Sequence, residues 1–304
     1  DSIKEACTPS CPARQPAGRL PAGGYQLRRR GYRRIYKEKN MRIQTTGVYW
    51  SAAAGHGRNQ DSLSLQHICL RKGECLLAAV CDGIGSLTAS QEASGFVVHC
   101  LTDWFYHEGK NLILQNSSRE LFLLALQRRF CHIQETLRQF QIIQNSETGT
   151  TLSALLLIGN RYYLIHIGDS RIYRIRKRKI PIYRQKYHIC RLTEDDKDQE
   201  GRLLKCVGVS GEDRATIETG RLLPQTCFLL CTDGFYRGNG KERIGQVLGP
   251  LLEMPKGEKR IQTAQAATTE HNIFDRRLEL LGEQAMAAAS KDHMAAVGII
   301  VGAR

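Results

Sequence analysis

The stretch Leu77-Ala78-Ala79-Val80-Cys81-Asp82-Gly83 (residues 77–83) is a run of five apolar residues that ends in an aspartate and a glycine. A short apolar run bounded by a turn dipeptide is typical of a buried β-strand. A carboxylate beside such a strand is costly unless a cation neutralises it. The stretch therefore predicts a core strand and a candidate cation ligand, Asp82.

Aspartates in similar positions recur along the chain. Asp169 and Asp233 each follow an apolar run, Asp292 precedes the closing run, and Asp61 ends the segment His56-Gly57-Arg58-Asn59-Gln60-Asp61. Several carboxylates on one sheet edge repel one another, and a divalent cation between them relieves that repulsion. Because the ligands are all oxygen atoms, with no Cys or His among them, the pattern favours magnesium or manganese over zinc.

Strands joined by hairpins, with helices inserted in blocks, predict an α+β layered domain. The runs 151–158 and 161–167 are joined by Gly159-Asn160, a dipeptide suited to a tight hairpin turn. Helices are predicted from Ser86–Thr88 to about His107, after Asn116-Ser117-Ser118, and over Asp275–Ala289. A doubly wound parallel sheet would need helices alternating with nearly every strand.

Composition favours an ordinary globular protein. The chain has 304 residues, of which 41% are hydrophobic, and its longest apolar run, Met294–Ala303, is about half of what a membrane span needs. No segment resembles a signal peptide, and the 11 cysteines are an odd number scattered through apolar segments. We therefore expect a cytoplasmic protein with reduced thiols and no membrane span.

The positive charge is unevenly distributed. Residues 1–40 contain ten basic and three acidic residues, so their net charge of +7 is half of the net charge of +14 of the chain. A second basic cluster runs from Arg171 to Arg191. We expect residues 1–40 to be a basic, flexible N-terminal segment and residues 41–304 to form the folded domain. Neither cluster has interleaved aromatic residues or zinc-finger spacing, so no nucleic-acid partner is expected.

Six groups of motif residues occur in order between Asn59 and Met294. They are Asn59-Gln60-Asp61; Asp82-Gly83-Ile84-Gly85 with Glu92-Ala93-Ser94; Gly149-Thr150-Thr151; Ile167-Gly168-Asp169-Ser170-Arg171; Cys231-Thr232-Asp233-Gly234; and Asp292-His293-Met294. In this order they resemble the metal-dependent protein phosphatases, the protein phosphatase 2C-like family, in its bacterial form. The resemblance implies that residues 41–304 are a catalytic domain of two packed antiparallel β-sheets flanked by helices, a four-layer αββα sandwich.

The resemblance also implies which residues hold metal. Asp82 would bridge two manganese or magnesium ions, and the carbonyl of Gly83 would bind one of them. Asp233 and Asp292 would hold the second ion, and Asp169 would contribute to a weaker third site. With Asp61, the residues Asp82 and Asp233 form the implied catalytic set.

The implied reaction is hydrolysis of phosphoserine and phosphothreonine monoesters by in-line attack of a metal-bridging hydroxide. Asp61 would steady the attacking water. Where the family usually has a phosphate-binding arginine, this sequence has His56, with Arg58 close by, so either residue is a candidate phosphate ligand. Gln60 replaces an acidic residue of the family motif.

Two alternatives to an active phosphatase stay open. The substitutions at His56 and Gln60 fit a catalytically weak family member that binds phosphoproteins as a regulator. A different two-metal hydrolase is the other alternative. The partners implied by the resemblance are phosphorylated proteins, including a bacterial serine/threonine kinase and its targets, and we expect a monomer.

Overall fold

The described part of the chain covers most of the predicted domain. The computed structural model describes residues 43–53, 58–71, 73–85, 87–145, 148–178, 186–209, 213–253, 264–288 and 292–303. The predicted basic segment, residues 1–40, lies outside these ranges, as do the candidate phosphate ligand His56 and Ser86 at the predicted start of the first helix.

Twelve strands are found in these ranges. They are β1 (Ile43–Ala52), β2 (Ser62–Leu70), β3 (Gly73–Cys81), β4 (Gly83–Gly85), β5 (Thr148–Thr150), β6 (Leu152–Ile158), β7 (Arg161–Ile167), β8 (Arg171–Lys177), β9 (Tyr187–Arg191), β10 (Thr216–Arg221), β11 (Thr226–Cys231) and β12 (Met294–Ala303). One antiparallel sheet has the order β1-β12-β11-β8-β9 and the other the order β10-β7-β6-β3-β2, while β4 pairs with β5. The predicted hairpin at Gly159-Asn160 joins β6 to β7.

The described ranges contain six α-helices. They are α1 (Leu87–Trp104), α2 (Lys110–Leu114), α3 (Arg119–Gln144), α4 (Asp233–Gly238), α5 (Lys241–Leu248) and α6 (Ala264–Ala288). None of these helices is long and apolar enough to cross a membrane. A π-helical turn, Phe105–Gly109, separates α1 from α2, and a 3₁₀-helix, Gly249–Glu253, follows α5.

The helix predictions were correct in position and partly wrong in extent. The helix α3 begins directly after Ser118, as predicted, and the hydroxyl of Ser118 caps it by accepting a hydrogen bond from the Leu121 nitrogen at 3.2 Å. The predicted start at Asp275 is wrong, because α6 begins at Ala264. The preceding residues are small and polar, so they show no apolar period from which a helix could be predicted.

The apolar core occupies three layers. In β3, Leu76 and Val80 face the other sheet, whereas Leu77 and Ala79 face α1 and α3. A third cluster lies between the first sheet and α4, α5 and α6. Because each sheet is covered on both faces, a central strand such as β3 is apolar and buried at every position from Cys75 to Cys81. This arrangement confirms the predicted α+β fold of two packed antiparallel sheets between layers of helices.

Candidate functional site

Antiparallel pairing brings the predicted aspartates to one edge of the two sheets. Both β3 and β7 pair with β6, so Asp82, which follows β3, and Asp169, which follows β7, lie at the same edge. In the other sheet β11 pairs with β12, which places Asp233 after β11 and Asp292 before β12 at one edge. The short turn 168–170 links β7 to β8 and so joins the two edges.

Three of these aspartates form a tight acidic cluster. One carboxylate oxygen each from Asp82, Asp169 and Asp233 lies within 4.8 Å of the other two. Asp292 is connected to the cluster through Arg237, whose guanidinium lies 2.5 Å from Asp233 Oδ2 and 3.3 Å from Asp292 Oδ2. Three of the four predicted metal ligands therefore lie together, and the fourth, Asp292, is linked to them through Arg237.

Asp61 lies buried beside this cluster. It immediately precedes Ser62, which pairs with Cys81 of β3, and its side chain is 7% exposed. Neither carboxylate oxygen accepts a hydrogen bond from a residue in the described ranges. Burial raises the pKa of Asp61 to about 7, the nearby Thr232 side chain opposes this shift, and the charges of Asp233 and Asp292 add to it. A buried carboxylate without a partner is unfavourable unless a cation or a bound water compensates it.

The chemistry of the cluster fits a divalent cation. Burial and the neighbouring charge of Asp61 raise the pKa of Asp82 well above its ordinary value. Burial also raises the pKa of Asp169, against the opposing effect of Lys197. Burial is the main cause of both shifts, and the charge of Asp233 adds to each of them. Manganese and magnesium prefer hard oxygen ligands, and this cluster offers several carboxylate oxygens.

Hydrogen bonds from a neighbouring motif fix the backbone of Asp82. The Thr151 hydroxyl accepts a hydrogen bond from the Asp82 nitrogen at 2.9 Å, and the Thr150 hydroxyl donates to the Asp82 carbonyl at 2.8 Å. The Thr151 hydroxyl also lies 2.7 Å from that of Ser170, next to Asp169. The Gly149-Thr150-Thr151 motif therefore sets the relative position of two predicted ligands.

The glycine at position 83 is required by close packing. A Cβ atom there would lie 2.5 Å from the carbonyl oxygen of Ser90 and 2.7 Å from that of Gln60. The Ser94 hydroxyl donates a hydrogen bond to the same Gln60 carbonyl at 2.6 Å, which ties α1 to the residues before Asp61. This contact gives a structural reason for the Glu92-Ala93-Ser94 motif.

Two positively charged side chains beside the cluster, Lys197 and Arg237, were not predicted from the sequence. The ammonium of Lys197 contacts Asp169 Oδ2 and lies 3.9 Å from Asp233 Oδ2, and Arg237 contacts Asp233 and Asp292 as described above. Arg237 is four residues after Asp233 in α4, a helix that the sequence did not predict, so the i, i+4 spacing of this ion pair was not recognised. Lys197 lies outside regular structure, where sequence periodicity gives no signal.

Of the two predicted phosphate ligands, the structure describes only Arg58. Arg58 is exposed and stands three residues before Asp61. His56 lies outside the described residues, so its position relative to the aspartates stays a prediction.

Comparisons with known proteins agree with this fold. The sequence profile described as protein phosphatase 2C matches residues 51–268. A comparison with curated protein sequences gives no significant match. The Mycobacterium tuberculosis serine/threonine phosphatase PstP/Ppp is similar in structure, with a TM-score of 0.62 and 20% identity over 84% of this chain and 98% of that one.

Two further solved structures are similar. The catalytic domain of PstP in complex with two manganese ions has a TM-score of 0.60 and 22% identity, covering 86% of this chain and 99% of that one. The S. agalactiae serine/threonine phosphatase has a TM-score of 0.62 and 16% identity, covering 84% of this chain and 99% of that one. At these identities the structural similarity shows the fold, while the profile match covers more than half of the chain. The chain therefore belongs to the protein phosphatase 2C family of protein serine/threonine phosphatases.

Proposed function

We propose that this chain hydrolyses phosphoserine and phosphothreonine monoesters in other proteins and that it needs manganese or magnesium to do so. The observation that carries the proposal is the convergence of Asp82, Asp169 and Asp233, whose oxygens lie within 4.8 Å of one another. Membership of the protein phosphatase 2C family supplies the class of substrate. Asp61 adds a further carboxylate beside the cluster, and its buried oxygens accept no hydrogen bond of normal geometry from the described residues.

Two divalent ions fit the residues at this edge. Asp82 would contact both, the carbonyl of Gly83 would bind one, and Asp233 with Asp292 would hold the other. Asp169 would offer a weaker site to a third ion. When bound, such ions activate water and neutralise negative charge on the phosphate oxygens. The solved complex of the PstP catalytic domain with two manganese ions supports this number.

The chain's own residues would orient the reactants. Asp61 has two buried oxygens with no described hydrogen-bond donor, so it would accept a hydrogen bond from the attacking water. Arg58 is exposed three residues away and would bind the phosphate oxygens through its guanidinium. His56 is the alternative phosphate ligand. Asp82 and Asp233 would fix the geometry in which water and phosphorus align.

We also propose that residues 41–304 are the catalytic unit and act as a monomer on cytoplasmic phosphoproteins, including targets of a bacterial serine/threonine kinase. The nine cysteines in the described ranges are all free thiols, which fits a reducing compartment. Deleting residues 1–40 should leave hydrolysis of a small aryl phosphate nearly unchanged. Loss of most of that activity would show that the segment belongs to the catalytic unit.

A catalytically weak phosphoprotein-binding regulator is the second candidate. Two observations favour it. Lys197 and Arg237 lie on carboxylates that would otherwise hold metal, and His56 replaces the arginine of the family motif. Such a protein would bind a phosphopeptide without releasing phosphate.

Phosphate release from a phosphothreonine peptide tests the proposal. The metal-free 304-residue chain is assayed with and without added manganese, and a phosphodiester serves as the competing substrate. Manganese-dependent release from the peptide, and little from the diester, is expected. Tight peptide binding without release would support the regulator, and preference for the diester would support a different two-metal hydrolase.

A further inference from the structure

The segment that carries Lys197 is held firmly against the acidic cluster. Arg171 binds the Asp195 carboxylate with two nitrogens, Nη2 at 2.6 Å from Oδ2 and Nε at 3.0 Å from Oδ1. The Asp196 nitrogen donates to the Gly168 carbonyl at 2.8 Å, and the Gly168 nitrogen donates to Asp196 Oδ2 at 3.0 Å. Gly168 immediately precedes Asp169, so these bonds place Lys197 next to that aspartate.

The side chain of Lys197 is enclosed, unlike the other cation at the cluster. It is 18% exposed, and its ammonium contacts Asp169 Oδ2 and lies 3.9 Å from Asp233 Oδ2. Arg237 is 51% exposed, so its guanidinium can turn into solvent when an ion arrives. Lys197 is therefore a fixed part of the cluster, whereas Arg237 is a displaceable one.

We propose that the ammonium of Lys197 is a built-in cation that takes the place of a third divalent ion at Asp169. The inference rests on the proposed metal-dependent function and deepens it. A tethered ammonium neutralises Asp169 without being recruited from solution, so a divalent ion must displace it before binding there. Asp82 makes no ion pair with any described residue, so the central position stays open to ions from solution.

This arrangement predicts how many ions the protein takes up. The wild-type protein should bind two ions tightly, and any third ion should bind weakly because it competes with the ammonium. Removing the charge at position 197 leaves the Asp169 carboxylate facing Asp233 without a cation between them. That carboxylate then becomes available as a ligand, and a third ion should bind to it.

Manganese titration of the metal-free 304-residue chain tests the inference. Isothermal calorimetry and electron paramagnetic resonance count the bound ions in wild type, Lys197→Met and Lys197→Arg. We expect two ions in wild type and in Lys197→Arg. In Lys197→Met we expect a third ion that binds at least about tenfold more tightly than any third ion in wild type. The double variant Lys197→Met with Asp169→Asn should return to two.

Equal ion counts and affinities in wild type and Lys197→Met would overturn the inference, as would a third ion that survives Asp169→Asn. Circular dichroism melting checks that the variants fold, and Lys197→Gln, which keeps a donor without the charge, replaces Lys197→Met if that variant does not fold. Phosphatase activity is measured separately. If Lys197→Met gains a third ion but the wild type has no phosphatase activity, only the proposed function is contradicted. If the wild type is active but Lys197→Met binds no additional ion, only this inference is contradicted.

Discussion

The hydroxyl of Thr151 lies 2.9 Å from the backbone nitrogen of Asp82 and accepts its hydrogen bond. The backbone nitrogen of Thr151 donates in return to the Asp82 carbonyl at 2.9 Å. The same hydroxyl lies 2.7 Å from that of Ser170, one residue after Asp169. A single buried side chain thus holds two acidic residues from different parts of the second sheet in a fixed relation.

Replacing this side chain should weaken both the fold and the ion site. Thr151→Val keeps the shape but leaves the buried Asp82 nitrogen and Ser170 hydroxyl without this partner, so we expect a loss of about 1–3 kcal/mol in the free energy of unfolding. Urea denaturation measures that loss, and calorimetry should show weaker manganese binding. Thr151→Ser retains the hydroxyl and serves as the control. Wild-type manganese affinity in Thr151→Val would contradict this role.

Arg237 should compete with metal more weakly than Lys197 does. Its guanidinium bridges Asp233 and Asp292 but is 51% exposed, and exposed ion pairs contribute only about 0–1 kcal/mol. We therefore expect Arg237→Ala to lower the manganese concentration that gives half-maximal activity by about two- to fivefold. A titration of activity against manganese measures the shift.

A matched control for this variant lies on α5. Arg243 donates a hydrogen bond to Gln284 Oε1 at 3.1 Å on an exposed surface, and Arg243→Ala removes the same charge away from the aspartates. Its manganese dependence should equal that of the wild type. If both variants shift equally, the effect belongs to the net charge of the protein and not to the contact with Asp233.

Asp61 should make the metal-free protein less stable as the pH rises. Its pKa rises from the ordinary value of 3.8 to about 7 on folding, chiefly because it is buried. The folded protein therefore holds this proton where the unfolded protein has lost it, and the free energy of unfolding falls between about pH 4 and pH 7. The slope from one such group is at most about 1.4 kcal/mol per pH unit.

Urea denaturation in chelator, from pH 4.5 to 7.5, measures this slope. Asp61→Asn removes the titrating group and should give a shallower dependence than wild type. Glu279→Gln, at an exposed position on α6, is the control and should keep the wild-type slope. An unchanged slope in Asp61→Asn would show that Asp61 is not the group responsible.

The core strands and the acidic residues could be predicted because the fold buries both faces of each sheet. Strands such as β3 and β11 then become unbroken apolar runs, and the aspartate at the end of each run stands out. The edge strands β9 and β10 could not be predicted in the same way. They alternate between partly buried and exposed positions and carry polar residues such as Glu218 and Arg191.

The ion pair of Lys197 with Asp169 could not be predicted from the sequence, for a different reason. Lys197 is held beside the cluster by the ion pair of Arg171 with Asp195, which are 24 residues apart, and by the hydrogen bond of Asp196 to Gly168. Such contacts between distant residues leave no local pattern of spacing or hydrophobicity. Asp169, in contrast, follows directly from the end of β7.

The effect of substitutions on KM can decide whether His56 or Arg58 binds the substrate phosphate. If His56 binds the phosphate, His56→Arg should lower KM, most strongly at higher pH where an imidazole with an ordinary pKa of about 6.5 is uncharged. Arg58→Ala should then have little effect. If Arg58 binds the phosphate, Arg58→Ala should raise KM about tenfold, and His56→Arg should change nothing. KM for both variants from pH 6 to 8.5 decides between them.

The central claim is that Asp82 organises a divalent-ion site on which turnover depends. The direct measurement is phosphate release from a phosphothreonine peptide by wild type, Asp82→Asn and the exposed control Glu135→Gln, each stripped of metal and then given saturating manganese. We expect no turnover in chelator, full recovery in wild type and Glu135→Gln, and a loss of about a hundredfold or more in Asp82→Asn. Normal turnover by Asp82→Asn, or full activity of the verified metal-free wild type, would contradict the account.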